Sequence, residues 1–231
     1  MNIYFLLEGA KTEPIVYQAW LAYLAPHLTK VKLFNQATHN NFYLFSVGGV
    51  TQVIPKLPTA IEEVNQAGNY DFLVVSRDSE DLSVAEIHQE VDDCVRTCGV
   101  ELNPPAQLVV IVQNRCIETW FLGNRAFLPA VPGKPELQTY LRFYDVSAND
   151  PELMPAYPGI TPAVRFHHTY FSRLHEATTK KPYSKRNPQF VVQKDFLDQL
   201  VSRTTDHPGH LQSFQDFLTF CARLKPAESP A

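Results

Sequence analysis

The residues of this chain best suited to chemistry are carboxylates at the ends of apolar runs. Glu8 follows the run 2–7 and precedes Gly9, while Asp78, Glu80 and Asp81 follow the run that closes at Val75. Asp78 and Glu80 alternate, so a tight turn could aim both at one ion. Hard divalent cations take oxygen ligands, and Mg2+ combines a small number of carboxylates with water and phosphate oxygens. Such clusters also serve two-metal, in-line phosphoryl transfer. Each acid taken singly has an ordinary role open to it, because Asp and Glu cap helices and complement their dipoles. Asp78 could cap the helix expected from Val84. The grouping is what favours chemistry.

These acids need a scaffold that gathers distant turns, and the hydrophobic pattern supplies one. Strands are expected over 2–7, 42–47, 70–75 and 108–112, apolar through their centres. Helical periodicity lies between them: from Thr12 to a stop at Pro26, over 51–67 with Pro55 and Pro58 in the first turns, and over 84–98. Alternating β and α elements with continuously apolar strands predict an α/β fold, a Rossmann-like parallel sheet of about four strands covered by helices. Ligands of such sheets bind beyond the carboxyl ends of the strands. Glu8, the Gly48-Gly49 turn and the stretch 78–81 are therefore expected on one rim. Residues 1–125 would form this catalytic domain. Residues 126–231 would form a mostly helical and irregular extension packed on it, proline-rich from Pro129 to Pro162. Helices are expected there over 136–143, 165–174, 193–203 and 210–224, before a polar tail, 225–231, that should fray.

A glutamate-glycine pair after the first strand and Asp-x-Asp/Glu after the third resemble the TOPRIM fold of topoisomerases, bacterial primases and OLD (overcoming lysogenisation defect) nucleases. The stretch Phe5-Leu-Leu-Glu8-Gly9-Ala-Lys-Thr-Glu13-Pro14 is similar to the EGxxTEP start of RloB-like and related small TOPRIM proteins of bacterial defence loci. Cys116-Ile-Glu118-Thr-Trp120-Phe-Leu122 resembles the E-x-W-x-L segment after their fourth strand. The likeness spans 2–122 in order and 183–224 more loosely. It implies a metal-dependent nuclease acting on DNA or RNA, with Mg2+ or Mn2+ as cofactor, working in anti-phage defence beside an ATPase partner. By position it implies Glu8 as general acid/base or metal-linked residue and Asp78 and Glu80 as metal carboxylates. Aspartate is usual where Glu80 stands, which leaves Asp81 open as the second ligand. Glu13 and Glu118 are implied for a second metal, and Lys185 as the cation at the scissile phosphate. Glu118 has an ordinary alternative as an acid in a helix first turn, and Trp120 reads as core packing. In such a site a metal on Asp78 and Glu80 would polarise the phosphate. Glu8 would deprotonate the attacking water or protonate the leaving oxygen.

Charge is unevenly spread behind a formal net of −4. Residues 62–101 are strongly acidic and 165–203 are basic. The segment Lys180-Lys181-Pro-Tyr183-Ser-Lys185-Arg186-Asn187 mixes cations with an aromatic and a rigid turn, which suits a phosphate backbone. Lys181, Tyr183, Lys185 and Arg186 are the candidate nucleic-acid contacts; a solvated surface loop is the ordinary alternative. His167, His168, His207 and His210 read as surface or packing residues. The four cysteines lack zinc-site spacing and are expected reduced. At 45% hydrophobic the chain can bury a core, and no apolar run reaches membrane-spanning length. The start reads as a buried strand rather than a signal peptide, so a cytoplasmic protein is expected. No GxxxxGK[ST] loop is present, so ATP hydrolysis would fall to the partner. Two rivals share the acidic rim: a non-catalytic nucleic-acid or protein binding module, and a phosphohydrolase of nucleotides. An aspartyl-phosphate enzyme would carry Asp where Glu8 stands.

Overall fold

An unbroken run of buried side chains, Ile3–Leu7, fixes the centre of the molecule. In the computed structural model, which describes residues 1–127 and 134–224, the strands are β1 (Asn2–Leu7), β2 (Thr29–Lys30), β3 (Asn41–Ser46), β4 (Phe72–Asp78) and β5 (Gln107–Gln113). They form one sheet in the order β2-β3-β1-β4-β5, and every pairing is parallel. The helices are α1 (Thr12–Leu24), α2 (Val50–Ala67), α3 (Val84–Thr97), α4 (Ile117–Leu122), α5 (Pro135–Phe143), α6 (Ala163–Thr179), α7 (Lys194–Asp206) and α8 (Gln212–Arg223). This is the expected α/β architecture of a Rossmann-like parallel sheet flanked by helices.

Alternate residues of β1 enter different cores. Tyr4 and Leu6 pack with Val53, Leu57 and Ile61 of α2 and Val91 of α3. Ile3, Phe5 and Leu7 pack with α1, α4, α6 and α8 on the opposite face. Both faces are covered, so the strand has no polar side to show in its sequence. The second core crosses the division at residue 125. Trp20 of α1 and Trp120 of α4 stack at 6.4 Å, and Phe214 and Phe217 of α8 pack on both. Trp120 donates its indole N–H to Ser213 Oγ at 2.7 Å, so it is the core residue expected rather than a base platform. The C-terminal helices thus complete one face of the sheet.

Three departures from the sequence pattern bear on the site. β2 adds a fifth strand at one edge, and two residues are too few to carry a periodic signal. β4 runs past Val75 to Asp78, because Arg77 and Asp78 pair with Val112 and Gln113 of β5. The cap of α3 is Ser83, which accepts from the Glu86 N–H while the Glu86 carboxylate accepts from the Ser83 N–H at 2.7 Å. Asp78 has no capping duty. Of the proline-rich stretch, residues 128–133, with Pro129 and Pro132, lie outside the described residues, as does the tail 225–231. All four cysteines are free. Among the described residues no helix is long and apolar enough to cross a membrane.

Candidate functional site

The sheet winds in opposite directions from β1 and β4, and a crevice opens beyond the carboxyl ends of these neighbours. Leu7 pairs with Ser76, so Glu8 and Asp78 emerge side by side. The Glu8 N–H donates to Ser76 O at 3.1 Å, and the Asp78 N–H donates to Glu8 Oε2 at 3.2 Å. Glu8 O accepts from the N–H groups of both Gly48 and Gly49 at 3.0 Å. Those glycines have φ of 82° and 156°, which side-chain-bearing residues rarely adopt, so the turn after β3 requires them. Glu80 also has positive φ, at 50°. Its N–H donates to Arg115 O at 3.0 Å and its carbonyl accepts from Arg115 Nη1 at 2.8 Å, which pins the turn to the end of β5.

Two further acids come from helix first turns. Glu13 of α1 folds back over Gly9 so closely that a Cβ there would stand 1.8 Å from Glu13 Oε2. Glu118 of α4 is wholly buried. Its Oε1 accepts from the Tyr183 hydroxyl at 3.2 Å and lies 3.3 Å from Lys185 Nζ. Thr12 ties this strap down, donating its hydroxyl to Lys185 O at 3.1 Å. Glu8, Glu13, Asp78, Glu80 and Glu118 all line one cleft of about 640 Å3, which Lys11, Arg165, His168 and Lys185 also line.

Crowded, buried carboxylates resist ionisation. Burial, foremost, pushes Glu8 up to about 7; the Asp78 N–H opposes this, and the charges of Glu13 and Glu80 add to it. Burial and then the neighbours Glu8, Glu13 and Glu118 hold Asp78 well above the ordinary aspartate range. Glu13 is raised as well, by burial first and then by Glu118. For Lys185, burial pulls downward but is outweighed by Glu118 and Asp78 among others, so its pKa is raised and the ammonium is retained. Burial also raises the Cys116 thiol, which lines the cleft in its neutral form.

Two carboxylate oxygens of the cleft, Asp78 Oδ1 and Glu118 Oε2, are buried and stand without hydrogen-bond partners among the described residues. Buried oxygens of this kind call for a ligand, a proton or a bound ion. Among the described residues no three His, Cys, Asp or Glu side chains form a ready-made metal cage. Mg2+ needs none, since it keeps several waters and uses one or two carboxylates with substrate oxygens.

The structure brings Glu8, Glu13, Asp78, Glu80, Glu118 and Lys185 together, with Gly9, Gly48 and Gly49 forming the loops around them. Asp81 is exposed and does not line the cleft; the positive φ at Glu80 turns the chain so that Glu80 is the one facing it. Tyr183 is not an open stacking surface: its ring packs edge-on to Phe171 at 4.9 Å and its hydroxyl serves Glu118. Lys181 and Arg186 are exposed and lie outside the cleft lining. His167 is a packing residue whose Nδ1 meets Thr119 Oγ1 at 2.9 Å. Its neighbour His168, expected as a surface or packing residue, lines the cleft, as do Lys11 and Arg165, which were not candidates in the sequence. The only signal for Arg165 and His168 was the basic character of 165–203, which does not say which helix face meets the sheet rim. No protein-family model, curated protein or solved structure matches the chain.

Proposed function

We propose that the protein is a metal-dependent phosphodiesterase of the TOPRIM type, a nuclease acting on DNA or RNA. The observation that carries this reading is the convergence of five carboxylates on one cleft, two of them with buried, unpartnered oxygens. Asp78 and Glu118 would hold Mg2+ or Mn2+ through those oxygens, with Glu80 and Glu13 beside them. The bound cation supplies Lewis-acid polarisation of the phosphate and offsets charge on its oxygens.

The protein's own groups do the rest. Glu8, with a pKa near 7, can take a proton from the attacking water or give one to the leaving oxygen. As water oxygen bonds to phosphorus, the bond to the leaving oxygen breaks, and the proton lost by one oxygen is returned to the other. The Asp78 N–H holds Glu8 Oε2 in place for this. Lys185, anchored on Glu118, presents a cation where phosphate charge develops. Lys11 and Arg165 extend that positive edge. The ATPase partner implied by the resemblance belongs to this proposal, as the source of any ATP hydrolysis.

The test is plasmid nicking or oligonucleotide cleavage in Mg2+ or Mn2+, with Glu8→Gln and Asp78→Asn checked for folding by circular dichroism. The expected result is metal-dependent cleavage reduced about a hundredfold or more in each variant. Undiminished cleavage by both variants would remove the cleft from the reaction.

A further inference from the structure

A second opening lies one side chain away from the acidic cleft. The Tyr183 ring is 5.7 Å from His168, which lines the cleft, and 5.7 Å from His175, which lines a neighbouring trough of about 540 Å3. The segment carrying Tyr183 walls both spaces. Lys185 faces the first, while Lys181, Ser184, Asn187, Gln189 and Phe190 line the second.

The chemistry of the trough is the reverse of the cleft's. No acidic residue occurs from 177 to 194. Among the described residues neither Lys181 nor Arg186 is paired with a carboxylate, and both are exposed. Phe190 rests on Phe127 at 4.6 Å and on Phe196 at 5.6 Å, with His175 at 5.9 Å, yet 37% of it remains open. A ring held by three other rings and more than a third exposed offers bases a fixed surface to pack on. Free cations beside such a surface are the combination that binds single strands, whose bases expose their faces. A duplex keeps those faces inside its own stack. Asn187, Gln189 and Gln193 add amide groups able to meet unpaired base edges.

We propose that this trough binds single-stranded nucleic acid, with bases on Phe190 and phosphates against Lys181, and leads the strand into the acidic cleft. The proposal rests on reading that cleft as a phosphodiester site, and it assigns the substrate's strandedness and its path.

The experiment is fluorescence anisotropy in EDTA, so that no hydrolysis intervenes, with labelled oligothymidylate, oligouridylate and a duplex of equal length. Single strands of one or both sugars should bind at least about tenfold more tightly than the duplex, through the stacking and phosphate contacts described. Phe190→Leu, which keeps an apolar side chain against Phe127 and Phe196, should weaken single-strand binding about fivefold or more, and Phe190→Trp should retain it. Lys181→Ala should lower the slope of log affinity against log salt by about 0.7. Equal or tighter duplex binding, no binding of any probe, or parental affinity in Phe190→Leu overturns the proposal. Single-strand binding that depends on Phe190, without cleavage in Mn2+, would instead tell against the hydrolytic reading and leave the binding assignment in place.

Discussion

Gly9 leaves room for the Glu13 carboxylate that a side chain would not, and this gives a sharp residue-scale test. A methyl group at position 9 would occupy the space of the Glu13 carboxylate, so Gly9→Ala must push that carboxylate aside. The expected outcome is a metal-dependent activity lowered about tenfold or more with the thermal midpoint nearly unchanged, since a surface-loop methyl costs little by itself. Cleavage assays alongside thermal melts would check it. Asp78 behaves differently. Burial, and then Glu8, Glu13 and Glu118, disfavour its ionised form, so without metal the carboxyl retains its proton. Asp78→Asn, neutral and of the same shape, should hold or raise the metal-free melting temperature while abolishing activity, the exchange typical of functional sites. A lower melting temperature for Asp78→Asn without metal would show that its charge supports the fold rather than the chemistry. Glu8, Asp78 and Glu80 were legible in the sequence because each stands at or near the end of an apolar strand. Arg165, exposed, and His168, half-buried, were not, because helical periodicity leaves open which residues outside the buried stripe meet a rim built by other elements.

At the scale of elements, the end of β4 decides how Asp78 is used. Its last residues pair with β5, so Asp78 is a strand residue beside Glu8 rather than the start of a helix. Ser83 and Glu86 form the reciprocal cap of α3 instead. Ser83→Ala should therefore cost about 1 kcal/mol of stability and leave metal-dependent activity at the parental level. A combined thermal and kinetic measurement reads both effects. The alternation of strand and helix was legible because β1, β3, β4 and β5 are apolar runs set between amphipathic helices. β2 was hidden by its length of two residues. α6 reaches Thr179, beyond the expected end at Leu174, since its later turns keep burying His175 against Phe127 and Phe171.

The whole molecule couples this site to its stability. Trp20 and Trp120 pack between the sheet and α8, so both halves of the chain share one core and must fold together. The site strains that arrangement with proton-linked charge. Glu8 ionises near its ordinary value of 4.5 in the unfolded chain but near 7 when folded. The folded state then holds the proton that the unfolded state has lost, so stability present below about pH 4.5 declines as pH rises through 7. Raised Asp78 and Glu13 act in the same direction, and each pKa unit of difference is worth about 1.4 kcal/mol. His167, lowered by burial to about 3, acts in the opposite sense over much of the same range, so the effect is read as a difference. In EDTA the melting temperature of the parent relative to Glu8→Gln should fall as pH rises from about 4.5 to 7. Mn2+ should stabilise the parent most strongly at the upper end, where the ion replaces the missing protons. A difference between parent and Glu8→Gln that stays constant between these pH values without metal would contradict the linkage.

The central claim is that the buried carboxylates of β4 and α4 together hold a divalent cation. Isothermal titration of the metal-free protein with Mn2+ tests it without reference to any substrate. Saturable binding accompanied by proton release is predicted for the parent near pH 6.5, because raised carboxyl groups must give up protons to take the ion. The same titration of the Asp78→Asn, Glu118→Gln double variant should show no saturable heat. Parental binding in the folded double variant, or none in the parent, would contradict the account.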